Sequence, residues 1–113
     1  MVHHIVMWKF RPEVEEEKKP EIKAAMKENL SALVGKVPGL LTMEFVDEPL
    51  TSSTHDIALV STLEKAEDIE VYGSHPAHVA VADTYVRAFV TEGPASIINI
   101  VQGFNPPETI CIL

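Results

Sequence analysis

The chain has 113 residues, 46% of them hydrophobic and 23% charged, which is the size of one domain built on one core. No stretch approaches the roughly 20 uninterrupted apolar residues of a membrane span, and a net charge of −8 with no basic patch argues against nucleic acid or anionic lipid as a partner. The lone Cys111 cannot form an internal disulfide, and MVHHIVMWKF lacks the charged-then-apolar order of a signal peptide, so the cytoplasm is the expected location.

Val2 to Phe10 has the period of a strand, with His4, Val6, Trp8 and Phe10 on one face and His3, Ile5, Met7 and Lys9 on the other. Pro12 and a run of acids then open a helix expected over about Glu13 to Val34, in which Ile22, Met26, Leu30, Leu33 and Val34 recur at helical spacing. Its lysines Lys18, Lys19, Lys23 and Lys27 alternate with glutamates, as on a solvated face. Gly35 is placed to stop it.

A Pro38-Gly39 turn leads to a strand at about Leu40 to Val46, and the polar stretch Asp47 to His55 separates it from another at about Ile57 to Thr62. Leu63 to Tyr72 suits a short helix ended by Gly73. Pro76 starts a further helix whose buried stripe is Val79, Ala82, Val86, Phe89 and Val90, with Gly93-Pro94 as its stop. A last strand is expected over about Ala95 to Val101, before an irregular tail rich in Gly and Pro.

The resulting order, β-α-β-β-α-β with the second helix in two pieces, is an α+β arrangement of the ferredoxin-like type: a four-stranded antiparallel sheet with helices on one face. Both faces of the first and last strands carry apolar residues, Ile5 and Met7 opposite Val6 and Trp8, and Ile97 opposite Ile98 and Ile100. Helices cover one face, so a second copy of the sheet is expected on the other, in a homodimer.

The stretch most charged with chemistry is Tyr72-Gly73-Ser74-His75-Pro76-Ala77-His78-Val79, which gathers a phenol and two imidazoles around a helix start. Pro76 suits the first helical position, putting His75 at the cap and His78 in the first turn, where the helix dipole disfavours imidazolium and keeps His78 basic near neutral pH. His75 and His78 with His3, His4 and His55 do not make a metal site, because no cysteine or paired carboxylate accompanies them.

With HHIVMWKF as the first strand, HPAHV at the head of the last helix, a Val37-Pro38-Gly39 turn and the strand Asp56-Ile57-Ala58-Leu59-Val60, the sequence resembles the stress-responsive A/B barrel (Dabb) family over Val2 to about Val101. That resemblance implies a domain over residues 1–102 with a tail over 103–113, and a dimeric α+β barrel in which two sheets pack face to face. Most members have no established activity. A minority resemble plant polyketide cyclases of the olivetolic acid cyclase kind, which close a polyketide by aldol condensation with a Tyr and a His matched here by Tyr72 and His78. Their first-strand His is matched by His4.

Two functional classes therefore stand. One is a stress-responsive module that binds a small hydrophobic or carbonyl-containing ligand or a protein, without catalysis; the other is a cyclase- or isomerase-like enzyme in which His78 moves a proton and Tyr72 stabilises an oxyanion. In the bland version Tyr72 and His78 bond each other or the backbone, and His4 is a core histidine. No glycine-rich phosphate loop, flavin fingerprint or nucleophile elbow is present, so no cofactor is expected. The expected pocket lies between sheet and helices, lined by His4, Val6, Trp8 and His75, with Tyr72 and His78 at its polar end.

Overall fold

The computed structural model describes residues 1–91 and 96–101. Four antiparallel strands, β1 (Val2–Trp8), β2 (Leu40–Val46), β3 (Ile57–Leu63) and β4 (Ser96–Ile100), form one sheet in the order β2-β3-β1-β4. The pairing fixes which residues share a face. His4, Val6 and Trp8 stand opposite Ser61, Leu59 and Ile57 of β3, while on the other side His4 meets Asn99 and Val6 meets Ile97 of β4. That face looks toward the helices. Leu41, at the bulge between Leu40 and Thr42, is left exposed.

The first helix starts later than expected. A 3-10 turn at Glu16–Lys18 precedes α1 (Lys19–Ser31), because Pro20 has no N–H to give and is tolerated only in a helix's first turn. Pro12 therefore does not begin it. Met26, Leu30 and Leu33 are almost fully buried, each stabilising the fold by about 1.5–3 kcal/mol through the apolar area removed from water. They pack with Val37, Leu40, Phe45, Ile57, Leu59 and Leu63 into the core. After Ser31 the chain unwinds through turns to Gly35, whose φ of 91° is the left-handed geometry anticipated for the stop.

The next helix is also displaced. Leu63, expected to begin it, is fully buried as the last residue of β3, and α2 runs from Glu67 to Ser74, straight through Gly73. It ends because Pro76 forces the residue before it out of helical geometry: His75 sits at φ −64°, ψ 132°. The Asp68 carboxylate accepts the Lys65 N–H at 3.0 Å and so fastens the approach to α2.

The last helix is shorter and less regular than its periodicity predicts. α3 covers Pro76–Val81, then widens into a π turn over Ala82–Val86, closed by the Arg87 N–H donating to Ala82 O at 2.8 Å. One extra residue per turn rotates everything after it by about 100° relative to an α-helix. Ala82, Val86 and Val90 still reach the core, while Val79 and Phe89 are only half-buried. Phe10, beyond β1, bridges to Val90 rather than extending the strand. The Gly93-Pro94 stop, Ala95 and the tail with Cys111 lie outside the described residues.

The face away from the helices is less open than the pattern suggested. Ile5, Ala58 and Val60 are buried within the single chain, and apolar exposure gathers at the edge strand, where Ile98 is 53% and Ile97 56% exposed, and at Val101 just beyond it. Among the described residues no helix is long and apolar enough to cross a membrane.

Two glycines allow a test of the turn between α1 and β2. A Cβ on Gly35 would meet nothing within 4 Å, so Gly35→Ala should cost only the strain of left-handed backbone, about 1–2 kcal/mol. Gly39, with φ 84°, is backed by the Asp68 carboxylate, into which a Cβ would run. Gly39→Ala should therefore destabilise clearly more than Gly35→Ala in urea unfolding. Equal midpoints would show that Asp68 gives way freely.

Candidate ligand cavity

The helices fill the space above β2 and β3, but above β1 and β4 they leave a cavity of about 650 Å³. Its floor is apolar: Val6, Leu30, Leu59, Val86 and Val90 are all buried there, with half-buried Trp8 and Ile69 beside them. Gly73, Arg87, Thr91 and Ile97 are exposed lining residues and mark the mouth.

The polar end of the cavity is made by the three residues singled out from the sequence. Tyr72, from the last turn of α2, and His78, from the first turns of α3, bring their ring centroids to 4.2 Å with the planes tilted by 40°. His4 of β1 meets Tyr72 edge to face at 5.9 Å. All three line the cavity, as do Val6 and Trp8. The brief turn through His75, extended because of Pro76, is what folds α3 back on α2 and sets the two rings together.

His75 itself is elsewhere. It is not part of the cavity wall; its Nδ1 accepts the Ala77 N–H at 3.1 Å and caps α3. An imidazole at the cap satisfies a backbone donor that the short helix cannot satisfy internally. The same physics that put His75 beside the helix start thus takes it away from the cavity.

Proton positions follow from the partners. His78 Nδ1 lies 3.1 Å from Gly73 O, which can only accept, so the neutral imidazole carries its proton on Nδ1 and its lone pair on Nε2. His4 Nδ1 is 2.5 Å from Asn99 Oδ1 and by the same argument donates to it. Burial pushes the His78 imidazole below its ordinary value; the charges of Arg87 and His4 act in the same direction, while the bond to Gly73 and the Asp83 carboxylate oppose it. The lowering anticipated from the helix dipole is therefore present with burial as its main cause. Burial likewise raises the Tyr72 phenol well above its ordinary value of 10.0. No described residue hydrogen-bonds the Tyr72 hydroxyl, which leaves it as a donor toward the cavity.

Three site features were not picked out from the sequence. Asn99 fixes His4, and Arg11 and Arg87 line the mouth. A single amide inside the otherwise apolar run Ile97-Ile98-Asn99-Ile100 was the available signal for the first. For the arginines there was none locally. Among the described residues no group of three or more His, Cys, Asp or Glu side chains could hold a metal ion.

This sheet order and helix placement define a ferredoxin-like α+β protein, and comparison with known proteins narrows the class. The model of the stress-responsive A/B barrel domain matches residues 2–95, so the chain belongs to the Dabb family. Among solved structures it is similar to a dimeric protein of unknown function and ferredoxin-like fold from Bacteroides fragilis, at 27% identity and a TM-score of 0.78, covering 88% of this chain and 93% of that one. A Dabb family protein from Mesorhizobium loti shares 16% identity with a TM-score of 0.68 over 91% and 97% of the two chains. A cofactor-independent oxygenase from Streptomyces nogalater has the same fold at 12% identity, with a TM-score of 0.66 over 95% and 97%. No curated protein matches the chain.

The lowered His78 value has a consequence for stability. In the unfolded chain this imidazole takes a proton near the ordinary 6.5, whereas in the fold it resists until lower pH. Its contribution to stability is therefore complete above 6.5 and is lost as pH falls through the folded value. Nuclear magnetic resonance titration should place the His78 midpoint below 6.5, and His78→Gln should remove part of the decline in unfolding free energy below that pH. A midpoint above 6.5 would contradict the assignment.

Proposed function

We propose that this chain binds a small, largely apolar carbonyl compound between its sheet and helices, as a stress-responsive binding module. One observation carries the reading: a cavity with a buried apolar floor has a phenol and a neutral imidazole at one end, and the phenol has no hydrogen-bond partner among the described residues. Specific ligand sites have this make-up, mostly apolar walls with a few convergent polar groups. Benzoylacetone, with two carbonyls on an aromatic body, is a suitable probe by calorimetry. Tyr72→Phe removes one hydroxyl and keeps the ring, and should weaken binding by roughly tenfold, the usual cost of a lost ligand hydrogen bond. An unchanged affinity would remove the phenol from the site.

A second reading, proton transfer, is favoured by the base form of His78 with its lone pair on Nε2 beside Tyr72. In it His78 Nε2 takes a proton from the carbon next to the carbonyl, and the Tyr72 hydroxyl holds the enolate oxygen. Exchange of that C–H for deuterium from solvent, followed by magnetic resonance, measures the step without knowing the natural substrate. His78→Ala and Tyr72→Phe should each slow it by roughly 100-fold if the groups take part. Exchange no faster than in buffer leaves the module as a binder only.

The reading includes a homodimer in the cytoplasm. Support comes from the dimeric relative of the same fold and from the apolar edge formed by Ile97, Ile98 and Val101. Sedimentation at micromolar concentration should give twice the chain mass, and Ile98→Asp should shift it toward the monomer. A monomeric mass for the unaltered protein would overturn the assembly.

A further inference from the structure

The three side chains at the polar end of the cavity offer more acceptors than donors. His4 faces Asn99 across the β1–β4 pair, and its Nδ1 lies 2.5 Å from Asn99 Oδ1, an atom that can only accept. The neutral His4 ring therefore carries its proton on Nδ1 and a lone pair on Nε2. His4 is 8% exposed and lines the cavity. No described residue hydrogen-bonds its Nε2, and that atom is not closed off in the interior, so it is reached from the cavity side.

His78 repeats the pattern, with its Nδ1–H given to Gly73 O and the lone pair on Nε2. Tyr72, whose ring touches both imidazoles, brings the one hydroxyl of this end. A hydroxyl has one hydrogen to give, so whichever way the phenol turns, at least one imidazole remains an acceptor without a donor from this trio. A polar atom facing apolar walls is costly until a donor meets it. A plain ketone suits the phenol but brings only further lone pairs.

Asn99 is what produces this surplus of acceptors. It is the one amide in the apolar run Ile97-Ile98-Asn99-Ile100, and it is exposed, so water could satisfy it without any bond to His4. Holding an interior histidine in place accounts for the bond at Nδ1. It does not account for the lone pair that this bond turns toward the cavity.

We propose that Asn99 is a positioning residue that fixes the His4 tautomer, and that the cavity thereby selects hydroxy ketones over plain ketones. The guest's carbonyl takes the Tyr72 hydroxyl, its own hydroxyl donates to His4 Nε2, and its apolar body lies against Val6, Leu59 and Val86. This rests on the cavity being the ligand site proposed above. Without Asn99 the His4 ring is released to carry its proton on Nε2, which makes that atom a donor and removes the demand for a hydroxyl.

The experiment compares α-hydroxyacetophenone with propiophenone, which differ by a hydroxyl in place of a methyl, by calorimetry on the intact protein and on Asn99→Val. The hydroxy ketone should bind the unaltered protein about tenfold tighter, as expected where a site's own polar atom is otherwise left unpaired. In Asn99→Val that preference should fall to about twofold or less while propiophenone affinity stays the same. Nitrogen magnetic resonance at mildly basic pH should find the His4 proton on Nδ1 in the unaltered protein and on Nε2 in the variant. Equal affinity for the two ketones in the unaltered protein overturns the proposal and leaves the carbonyl-binding reading intact. Binding of neither overturns both. A full preference surviving in Asn99→Val, or a His4 proton on Nε2 in the unaltered protein, also overturns it. The comparison of ketones on the unaltered protein decides the matter even if Asn99→Val melts early.

Discussion

Unequal cover over the sheet is the constraint from which the site follows. Met26 and Leu30 of α1, with Leu33 just beyond its end, pack down on β2 and β3, and the buried core is drawn from those strands and the helices above them. From the other half of the sheet, only Trp8 among the described residues packs against that core, and it does so half-buried. A close-packed interior tolerates few voids, so a space of about 650 Å³ above β1 and β4 is not a packing fault but the shape of the chain. The helical segment that could have filled it is short, and it is interrupted by a π turn at Ala82–Val86.

Leaving that half uncovered obliges the polar groups on β1 to find partners inside the sheet. A buried imidazole without a hydrogen bond would cost several kilocalories per mole, and His4 avoids this by donating to Asn99 on the neighbouring strand. The His4 carbonyl receives the hydroxyl of Ser61, which is fully buried on β3. His4 is thus at once a satisfied interior residue and a wall of the cavity, and the two descriptions weighed against each other at the outset are compatible. Tyr72 differs. Its ring is buried against His4 and His78, but its hydroxyl is left for whatever enters.

Electrostatics then sorts the two ends of the cavity. Burial lowers the half-buried His78 imidazole and raises the buried Tyr72 phenol, favouring the forms in which one can accept and the other donate a proton. At the mouth stand Arg11 and Arg87, the second paired with Asp83. Apolar walls with one polar end would suit a guest that is apolar with a polar group at Tyr72 and His78, whereas a purely hydrocarbon guest would leave the phenol unused.

Much of this was readable residue by residue. The period-two pattern of β1, the spacing of Met26, Leu30 and Leu33, the Gly35 stop and the imidazoles around Pro76 are local signals, and each depends on neighbours a few positions away. Local rules also set the places where boundaries moved: Pro20, lacking an N–H, delayed α1, and Pro76 rather than Gly73 ended α2 by restricting the residue before it. What the sequence could not reveal is set by register. Asn99 meets His4 across 95 positions because β4 pairs with β1 in one alignment only, and a slip of one residue would turn the amide to the opposite face. Arg11 and Arg87, 76 positions apart, share a mouth because β1 and the π turn end side by side. His75 was drawn into a cap by the same helix start that set His78 in the wall. The sequence by itself determined the elements and the chemical groups; tertiary structure decided which of those groups face one another, since strand register and helix phase are settled by packing across the whole chain.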